Sequence, residues 1–248
     1  MANFVPLKKY MFYCLDQMIY RHKLSSPFLD IGCGSGDLSE FLAKKGWQGK
    51  AADYSESAVA IAQNRLQPYS AVTVTGESLL SIEGSYKTIF LWDILEHLED
   101  DQAALKKVAD LLDGSGHMVI AVPSNPREWR WDDVYYGHHR RYTAETIADT
   151  LQAAGFRVVE IWDFTYPTFW LLRRLYLFFK HPPADLQHLS KEGRTSLSAT
   201  RNSWDIPFLS SILNHTSIFW RPIYALQFRF FRKAVKAGHE MMVLAERS

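Results

Sequence analysis

The amino-acid sequence predicts a doubly wound α/β domain, because short apolar segments alternate along the chain with segments of helical apolar spacing. The clearest example is the stretch 27–45, where an apolar run ends at Asp30, glycine follows at every second position, and helical spacing begins. Strand, tight turn and helix in this order are the start of a βαβ unit. The 248 residues are enough for one such domain and an insertion.

The turn within this stretch predicts a site for a nucleotide-like ligand. Gly32, Gly34 and Gly36 permit a positive φ, or a ligand lying directly against the backbone. The helix that follows offers its N-terminal amides to a carboxylate or phosphate. The dinucleotide fingerprint G-x-G-x-x-G needs its third glycine one residue later, where this chain has Asp37. A purely structural glycine turn remains open at this point.

The other elements are assigned in chain order from their apolar spacing and their capping residues. A leading helix is expected within 7–24, either packed on the core or placed as a cap over the ligand cleft. The remaining predicted elements are a strand at 48–53, a helix at 56–66 with Ser55 as N-cap, strands at 71–75 and 86–93, a helix at 102–112 ended by a glycine-rich turn at 113–116, a strand at 117–122, a helix at 144–154 capped by Thr143, and strands at 155–162 and 239–247.

Three segments resemble a known family: D-x-G-x-G-x-G at 30–36, the Leu91-to-Asp100 segment with its Glu-His pair, and G-H-x-R-R-Y-T at 137–143. Over 27–161 and in its last strand, the chain resembles the class I S-adenosylmethionine-dependent methyltransferases. The resemblance implies a seven-stranded Rossmann-like methyltransferase sheet of order 3-2-1-4-5-7-6, with an antiparallel last strand and an α-helical insertion before it. It implies S-adenosyl-L-methionine as cofactor and S-adenosyl-L-homocysteine as product, and no metal is expected.

The resemblance also assigns the cofactor-binding residues. The three glycines would let the methionine part and the ribose approach the backbone, and Asp53, 17 residues past Gly36, would accept both ribose hydroxyls. Surface-turn roles for Glu77 and Ser78 and a structural role for His97 remain open. The expected cofactor residues are Asp30, Gly32, Gly34, Gly36, Asp53, Tyr54, Glu77, Ser78, Trp92, Asp93 and His97.

The segment 127–143 is rich in histidine, arginine and aromatic residues and is expected over the substrate cleft. Methyl transfer is an in-line displacement, so the enzyme must mainly align nucleophile and sulfonium. A general base is needed only when the nucleophile carries a proton. His138 and His139 are the candidate bases, because imidazole titrates near neutral pH, although a backbone-bonded loop role for His139 remains open. The candidate substrate-binding residues are Arg140, Arg141 and Tyr142.

Residues 164–238 are predicted to be an aromatic and basic helical insertion into the methyltransferase domain of 1–163 and 239–248. They contain eleven Lys and Arg but three Asp and Glu, while the whole chain has a net charge of +1. A lid over the substrate pocket, contact with an anionic membrane or capture of a lipid-linked substrate, and a dimer interface all fit this composition. Nucleic acid is not expected, since large apolar blocks replace spaced stacking aromatics.

Composition narrows the expected location and function. Cys14 and Cys33 form no zinc motif or disulfide framework, and neither a secretory signal nor an uncharged run of about 18 apolar residues is present. The protein is expected in the cytoplasm, either free or peripheral on the inner face of the membrane. The expected function is S-adenosylmethionine-dependent methylation of a small-molecule acceptor, including lipid or lipid-linked acceptors. A catalytically silent regulatory protein that binds the cofactor and an NAD-dependent oxidoreductase remain as alternatives.

Overall fold

The computed structural model describes residues 6–180 and 217–248, which form a seven-stranded sheet with helices on both faces. The strands are β1 (Phe28–Ile31), β2 (Gly49–Ala52), β3 (Val72–Thr75), β4 (Tyr86–Trp92), β5 (Leu112–Pro123), β6 (Phe156–Asp163) and β7 (Glu240–Arg247). The helices are α1 (Pro6–His22), α2 (Asp37–Ala43), α3 (Glu56–Leu66), α4 (Asp101–Leu111), α5 (Trp131–Tyr136), α6 (Ala144–Ala153), α7 (Thr168–Phe179) and α8 (Ser217–Phe231).

The strand order is 3-2-1-4-5-7-6, and β7 runs antiparallel to both β5 and β6. The other neighbouring strands are parallel, so the carboxyl ends of β1, β2, β4 and β5 lie at one edge of the sheet. The chain order reverses between β1 and β4, and open α/β sheets bind ligands at such a reversal. The predicted sheet is therefore confirmed, and its glycine turn lies at the expected edge.

Each face of the sheet is covered by a separate hydrophobic cluster. Within β4, Ile89 and Leu91 point into one cluster and Phe90 into the other, because successive side chains of a strand alternate between faces. Helices α4 and α6 cover the first face, where Leu105 and Ile147 are fully buried. Helix α1 covers the second face with α2, α3 and the described ends of the insertion.

The two described helices of the insertion, α7 and α8, pack against α1 in the same hydrophobic cluster. The ring of Tyr10 in α1 stacks on Phe169 of α7 (centroids 5.5 Å apart) and on Tyr224 of α8 (5.2 Å). The Tyr224 hydroxyl also donates to the carbonyl of Pro6 (2.9 Å). The middle of the insertion, 181–216, lies outside the described residues, so the predicted domain boundaries remain a prediction. In 6–180 and 217–248 no helix has the length and apolar character needed to cross a membrane.

The fifth strand begins earlier than predicted. It was expected at 117–122 after a glycine turn, but Leu112 directly follows α4 and already pairs with Tyr86 of β4. A register shift follows, and the side chain of Lys87 donates to Asp113 (2.7 Å). The residues 113–116 therefore belong to the strand and do not cap the helix.

Helix α5 was not predicted within the loop 127–143. Its N-terminus is held because the amide of Arg130 donates to Oδ2 of Asp133 (2.8 Å). Its C-terminus is Gly137, whose φ of 80° is typical of a glycine that ends a helix. The helix is only six residues long, which is too short for apolar periodicity to reveal it.

Candidate functional site

The glycine turn after β1 has the backbone geometry that its sequence predicts. Gly32, Gly34 and Gly36 have φ values of 67°, 51° and 76°, in the left-handed region that favours glycine. At Gly32 an added Cβ would lie 2.1 Å from Cδ1 of Ile94, so the Ile94 side chain would have to move to admit it. The amide of Gly34 donates to Oδ2 of Asp53 (2.9 Å), which ties the turn to the end of β2.

Each of the two carboxylate oxygens of Asp53 accepts one hydrogen bond from a backbone amide. Oδ2 accepts the Gly34 amide, and Oδ1 accepts the amide of Ser55 (2.9 Å). An ionised carboxylate has about four acceptor positions, so two remain for two hydroxyl donors. These acceptor positions fit the two hydroxyls of the ribose of S-adenosylmethionine. Tyr54 follows at the rim of the site and is 59% exposed.

Asp30 lies beneath the glycine turn and joins β1 to α2. The hydroxyl of Ser39 donates to its Oδ2 (2.7 Å), and both side chains are fully buried. Burial raises the pKa of Asp30 to about 7, while the Ser39 hydrogen bond opposes this shift. Asp30 thus supports the turn from below, and its predicted contact with the cofactor remains a prediction.

Glu77 and Ser78 follow β3 on the other side of β2. The side chain of Lys50 donates to Oε2 of Glu77 (3.1 Å), and this hydrogen bond lowers the pKa of Glu77. The hydroxyl of Ser78 lies 3.1 Å from that of Ser81, on the surface. A role near the adenine remains a prediction for both residues.

The end of β4 brings Trp92 and Asp93 to the same edge of the sheet as the glycine turn. The ring of Trp92 lies 6.2 Å from Phe12 of α1, which itself stacks on Phe41 of α2 (4.7 Å). Helix α1 thus contributes to the core and also reaches the rim of the site. Asp93 has a φ of 54°, which is uncommon for a residue with a side chain. Such strained backbone is concentrated at functional sites.

Three carboxyl groups meet beside this turn. Asp93 and Glu96 follow β4, and Glu240 begins β7. Burial raises the pKa of Asp93 to about 7, and burial together with the Asp93 charge raises that of Glu240 to about 8. Glu96 is fully buried, and neither of its carboxylate oxygens has a hydrogen-bond partner. Burial and the Asp93 charge raise the pKa of Glu96 well above its usual range.

His138 is oriented by a carboxylate behind it. Its Nδ1 lies 2.9 Å from Oδ1 of Asp133, and Nε of Arg141 donates to the same oxygen (2.7 Å). Burial opposes ionisation of Asp133, but the His138 hydrogen bond and the Arg141 charge lower its pKa to about 2. The other ring nitrogen of His138, Nε2, lies 3.9 Å from Oε1 of Glu96. The predicted histidine segment therefore faces the turn after β4.

His97 and His139 complete this group. The rings of His97 and His138 meet edge to face, with centroids 4.9 Å apart. Burial, together with the nearby His138 and His139, lowers the pKa of His97 to about 3, so its ring is neutral. The amide of His139 donates to the carbonyl of Glu96 (2.9 Å), which fixes the loop onto the β4 turn.

The three predicted substrate-binding residues all have partners within the chain. Nη1 of Arg140 donates to Oδ2 of Asp101 (2.7 Å), and the hydroxyl of Tyr142 donates to the same oxygen (2.9 Å). Besides Asp133, Arg141 donates to the carbonyls of Ser124 and His239, both at 2.9 Å. These contacts hold the loop to α4 and β7, and a role in acceptor binding remains a prediction.

Sequence reasoning missed several residues of this site, above all Asp133, Glu240 and Arg173 of α7, whose guanidinium donates to Asp132 (2.8 Å) and Asp133 (3.3 Å). Asp133 stands in an arginine-rich loop. Glu240 begins an apolar strand, and Arg173 stands beside Arg174 in a helix of otherwise apolar residues. Charged residues are almost never fully buried unless they are paired. A charged residue inside an apolar helix or strand therefore indicates a buried ion pair, but the sequence does not show which residue is its partner.

Comparison with known proteins places the chain in a family. A family model described as a methyltransferase domain matches residues 8–161. A ubiquinone biosynthesis O-methyltransferase of Parvibaculum lavamentivorans is 37% identical over 113 residues, which are 44% of this chain and 44% of that protein. A probable S-adenosylmethionine-dependent methyltransferase of Mycobacterium tuberculosis (Rv3030) is 29% identical over 133 residues, 52% of this chain and 47% of that protein. The chain thus matches less than half the length of these relatives.

Solved structures of other proteins have a similar fold. The [4+2]-cyclase SpnF has a TM-score of 0.58 at 16% identity, covering 94% of this chain and 79% of its own. Magnesium protoporphyrin IX methyltransferase of Synechocystis PCC 6803, solved with S-adenosylhomocysteine, has a TM-score of 0.54 at 22% identity, covering 65% and 80%. At such identities the likeness establishes the sheet alone. Because the family model also covers more than half of the chain, the chain belongs to the class I S-adenosylmethionine-dependent methyltransferase family.

Proposed function

We propose that the protein transfers a methyl group from S-adenosylmethionine to a hydroxyl oxygen of an apolar small molecule held at an anionic membrane surface. Family membership and the glycine turn with Asp53 support the methyl donor. The observation that carries the acceptor class is the set of exposed apolar side chains on α7 and α8, set among basic residues.

These exposed apolar side chains lie on both described helices of the insertion. Phe178 and Phe179 at the end of α7 are 78% and 74% exposed, and Phe230 of α8 is 65% exposed. Among the described side chains of these two helices, the exposed apolar ones are Leu171, Leu172, Leu175, Phe178, Phe179, Ile223, Leu226, Phe230 and Phe231. Burying one such side chain stabilises by about 1.5–3 kcal/mol, so a set of this size is typical of an interaction surface.

The charges around this set favour an anionic partner. Residues 164–180 and 217–238 contain eight Lys and Arg and no Asp or Glu. Lys180, Arg221 and Arg229 are exposed on the same helices, and the guanidinium of Arg229 lies over the ring of Phe230. Each basic residue near an anionic leaflet contributes about 1 kcal/mol. Basic residues among Phe and Leu are typical of helices that lie in a membrane interface.

Two further observations support a hydroxyl acceptor. Several curated relatives are named ubiquinone biosynthesis O-methyltransferases. A hydroxyl loses its proton when its oxygen is methylated, so a base must stand nearby. His139 is the candidate, since its amide is held on the Glu96 carbonyl and its ring forms no hydrogen bond with the described residues.

The proposed role of each group follows from its position. S-adenosylmethionine, when bound, supplies a methyl group already activated by the sulfonium charge. The glycine turn and Asp53 hold the donor at the edge of the sheet, next to Asp93. The loop with His139 aligns the acceptor oxygen and takes its proton. Alignment is the main requirement of an in-line displacement.

Transfer of labelled methyl tests the acceptor directly. The probes are a phenol with a polyprenyl tail, carried in phosphatidylglycerol-containing vesicles, and the same phenol without its tail. We expect label in the tailed product and at most slow labelling of the other. Labelling of the tail-free phenol alone would refute the membrane acceptor but not methyl transfer. If neither is labelled while S-adenosylhomocysteine binds, O-methylation of a phenol is wrong and the catalytically silent alternative gains support.

Vesicle co-sedimentation tests the surface separately. The parent should sediment with phosphatidylglycerol-containing vesicles, less with phosphatidylcholine alone, and less at high salt. Phe178→Glu combined with Leu226→Glu should abolish this, while the exposed Leu80→Glu is the matched control. If the parent is a dimer in the absence of lipid and does not sediment with vesicles, the surface is a dimer interface.

A further inference from the structure

We infer that Glu96, His97 and His138 bind a divalent transition-metal ion. Oε1 of Glu96 lies 3.9 Å from Nε2 of His97 and 3.9 Å from Nε2 of His138. One ligand atom from each residue lies within 4.8 Å of the others. Ligand atoms around a tetrahedral zinc ion are about 3.4 Å apart, given bonds of about 2.1 Å. Each histidine nitrogen therefore needs to approach Glu96 by about half an ångström, and the two histidine nitrogens need to approach each other by at most about 1.4 Å.

The buried carboxylate of Glu96 is the strongest sign of a missing ligand. Its residue is fully buried, yet both oxygens lack a hydrogen-bond partner. A buried carboxyl group without a hydrogen-bond partner is costly, and buried carboxylates are normally paired or bound to a metal. At 3.9 Å the two histidines are too far away to donate hydrogen bonds to it. A cation between the three groups would satisfy Glu96.

Both imidazoles are oriented as metal ligands usually are. His138 is held from behind by Asp133 at Nδ1 (2.9 Å), which leaves Nε2 directed toward Glu96. The ring of His97 forms a hydrogen bond with the backbone of Gly137. Metal-binding histidines almost always have such an outer partner on their other ring nitrogen.

The ligand types indicate which cations fit. Two imidazoles and one carboxylate suit Zn²⁺, Fe²⁺ or Co²⁺, whereas Mg²⁺ and Ca²⁺ prefer oxygen ligands throughout. Three protein ligands leave a position open for water or substrate. The site lies beside Asp93, where the methyl group is proposed to be transferred. Resting on that proposed function, an acceptor hydroxyl in the open position would become more acidic, and His139 would stay free to take its proton.

The inference depends on these residues alone. It is tested by calorimetric titration of the chelator-treated protein with Zn²⁺ and with Mg²⁺. We expect about one equivalent of Zn²⁺ to bind and Mg²⁺ to bind far more weakly. Loss of an outer partner usually costs 10- to 100-fold in affinity, so Glu96→Gln and His97→Ala should each cost more than about 100-fold. His117→Ala, at the end of β5 opposite to the site, is the matched control.

Three readouts keep the outcomes distinct. S-adenosylhomocysteine titration of every variant shows that the protein is folded and tests the donor site independently of the metal. If a variant loses that binding, the visible absorption of the Co²⁺-loaded parent decides, since imidazole and carboxylate ligation gives bands that hydrated Co²⁺ lacks. No Zn²⁺ binding by the parent, or equal binding by Glu96→Gln, His97→Ala and His117→Ala, would overturn the metal site. If the parent does not bind S-adenosylhomocysteine, the proposed function is wrong, whatever the zinc titration shows.

Discussion

Arg173 of α7 binds Asp132 of α5 through two parallel hydrogen bonds, from Nε and Nη2 to the two carboxylate oxygens (2.8 and 2.7 Å). The same guanidinium reaches Asp133 (3.3 Å) and the carbonyl of Glu128 (3.2 Å). Such bidentate pairs are among the stronger and more specific hydrogen-bonded contacts. The first helix of the insertion is thereby fixed to the loop that carries His138.

Arg173→Met should therefore be strongly destabilising. The side chain is 3% exposed, and its loss leaves buried carboxylates uncompensated, which typically costs 3–5 kcal/mol. The neighbouring Arg174, half exposed and paired with Glu128, is the matched control, and Arg174→Met should cost about 1 kcal/mol or less. Urea unfolding of both variants measures the difference. Equal small effects would show that the network around Asp132 contributes little to stability.

Gly32→Ala should disrupt the donor site more than backbone strain alone explains. The new methyl group would overlap Ile94, and the residue also has a φ of 67°. Gly46→Ala is the control, because Gly46 has a φ of 80° but no atom within 4 Å of an added Cβ. Left-handed backbone costs a residue with a Cβ about 1–2 kcal/mol, so both variants share this strain. We expect only Gly32→Ala to lower the affinity for S-adenosylhomocysteine, by more than about tenfold, in calorimetric titration.

Asp30→Asn should change how stability depends on pH. The folded-state pKa of Asp30 is raised to about 7, so between about pH 4 and pH 7 the folded protein holds a proton that the unfolded chain releases. The contribution of this group to stability is therefore present at low pH and is lost as pH rises, by up to about 4 kcal/mol. Asparagine does not titrate and still accepts from Ser39.

The measurement is urea unfolding of parent and variant at pH 4.5 and pH 7.5. The free energy of unfolding of Asp30→Asn should improve relative to the parent as pH rises. Asp110→Asn makes the same chemical change at an exposed position of α4 and should leave the pH dependence unchanged. A constant difference between Asp30→Asn and the parent at both pH values would contradict the assigned role of burial.

Features specified by neighbouring residues were predictable from the sequence. The left-handed glycines, the Ser55 cap that accepts from the amide of Ala58, and the Thr143–Thr146 capping pair all depend on a few adjacent positions. The strand order followed from the family resemblance. Capping and turn chemistry act locally, so a single sequence is sufficient to read them.

The contacts that build the histidine site were not predictable in this way. Arg173 and Asp132 are 41 residues apart in the chain, and Glu240 reaches the β4 turn only because β7 inserts between β5 and β6. Apolar periodicity shows which face is buried but not which charged groups meet there. For the same reason, the sequence marks Glu96 only as part of a Glu-His pair, and the lack of a hydrogen-bond partner for its carboxyl group is evident only in the folded structure.

Asp53→Asn separates two roles of one carboxylate. Asp53 already accepts the amides of Gly34 and Ser55, so loss of S-adenosylhomocysteine binding alone would not distinguish a shaped turn from a held ribose. Titrating parent and variant with both S-adenosylhomocysteine and its 2′-deoxy analogue does distinguish them. A hydrogen bond to a charged group contributes about 1.5–3 kcal/mol, so the parent should prefer the ribose form by about 10- to 100-fold. Asp53→Asn should lose most of that preference. If the variant binds both ligands more weakly but keeps the parent's ratio, Asp53 shapes the turn and another group holds the ribose.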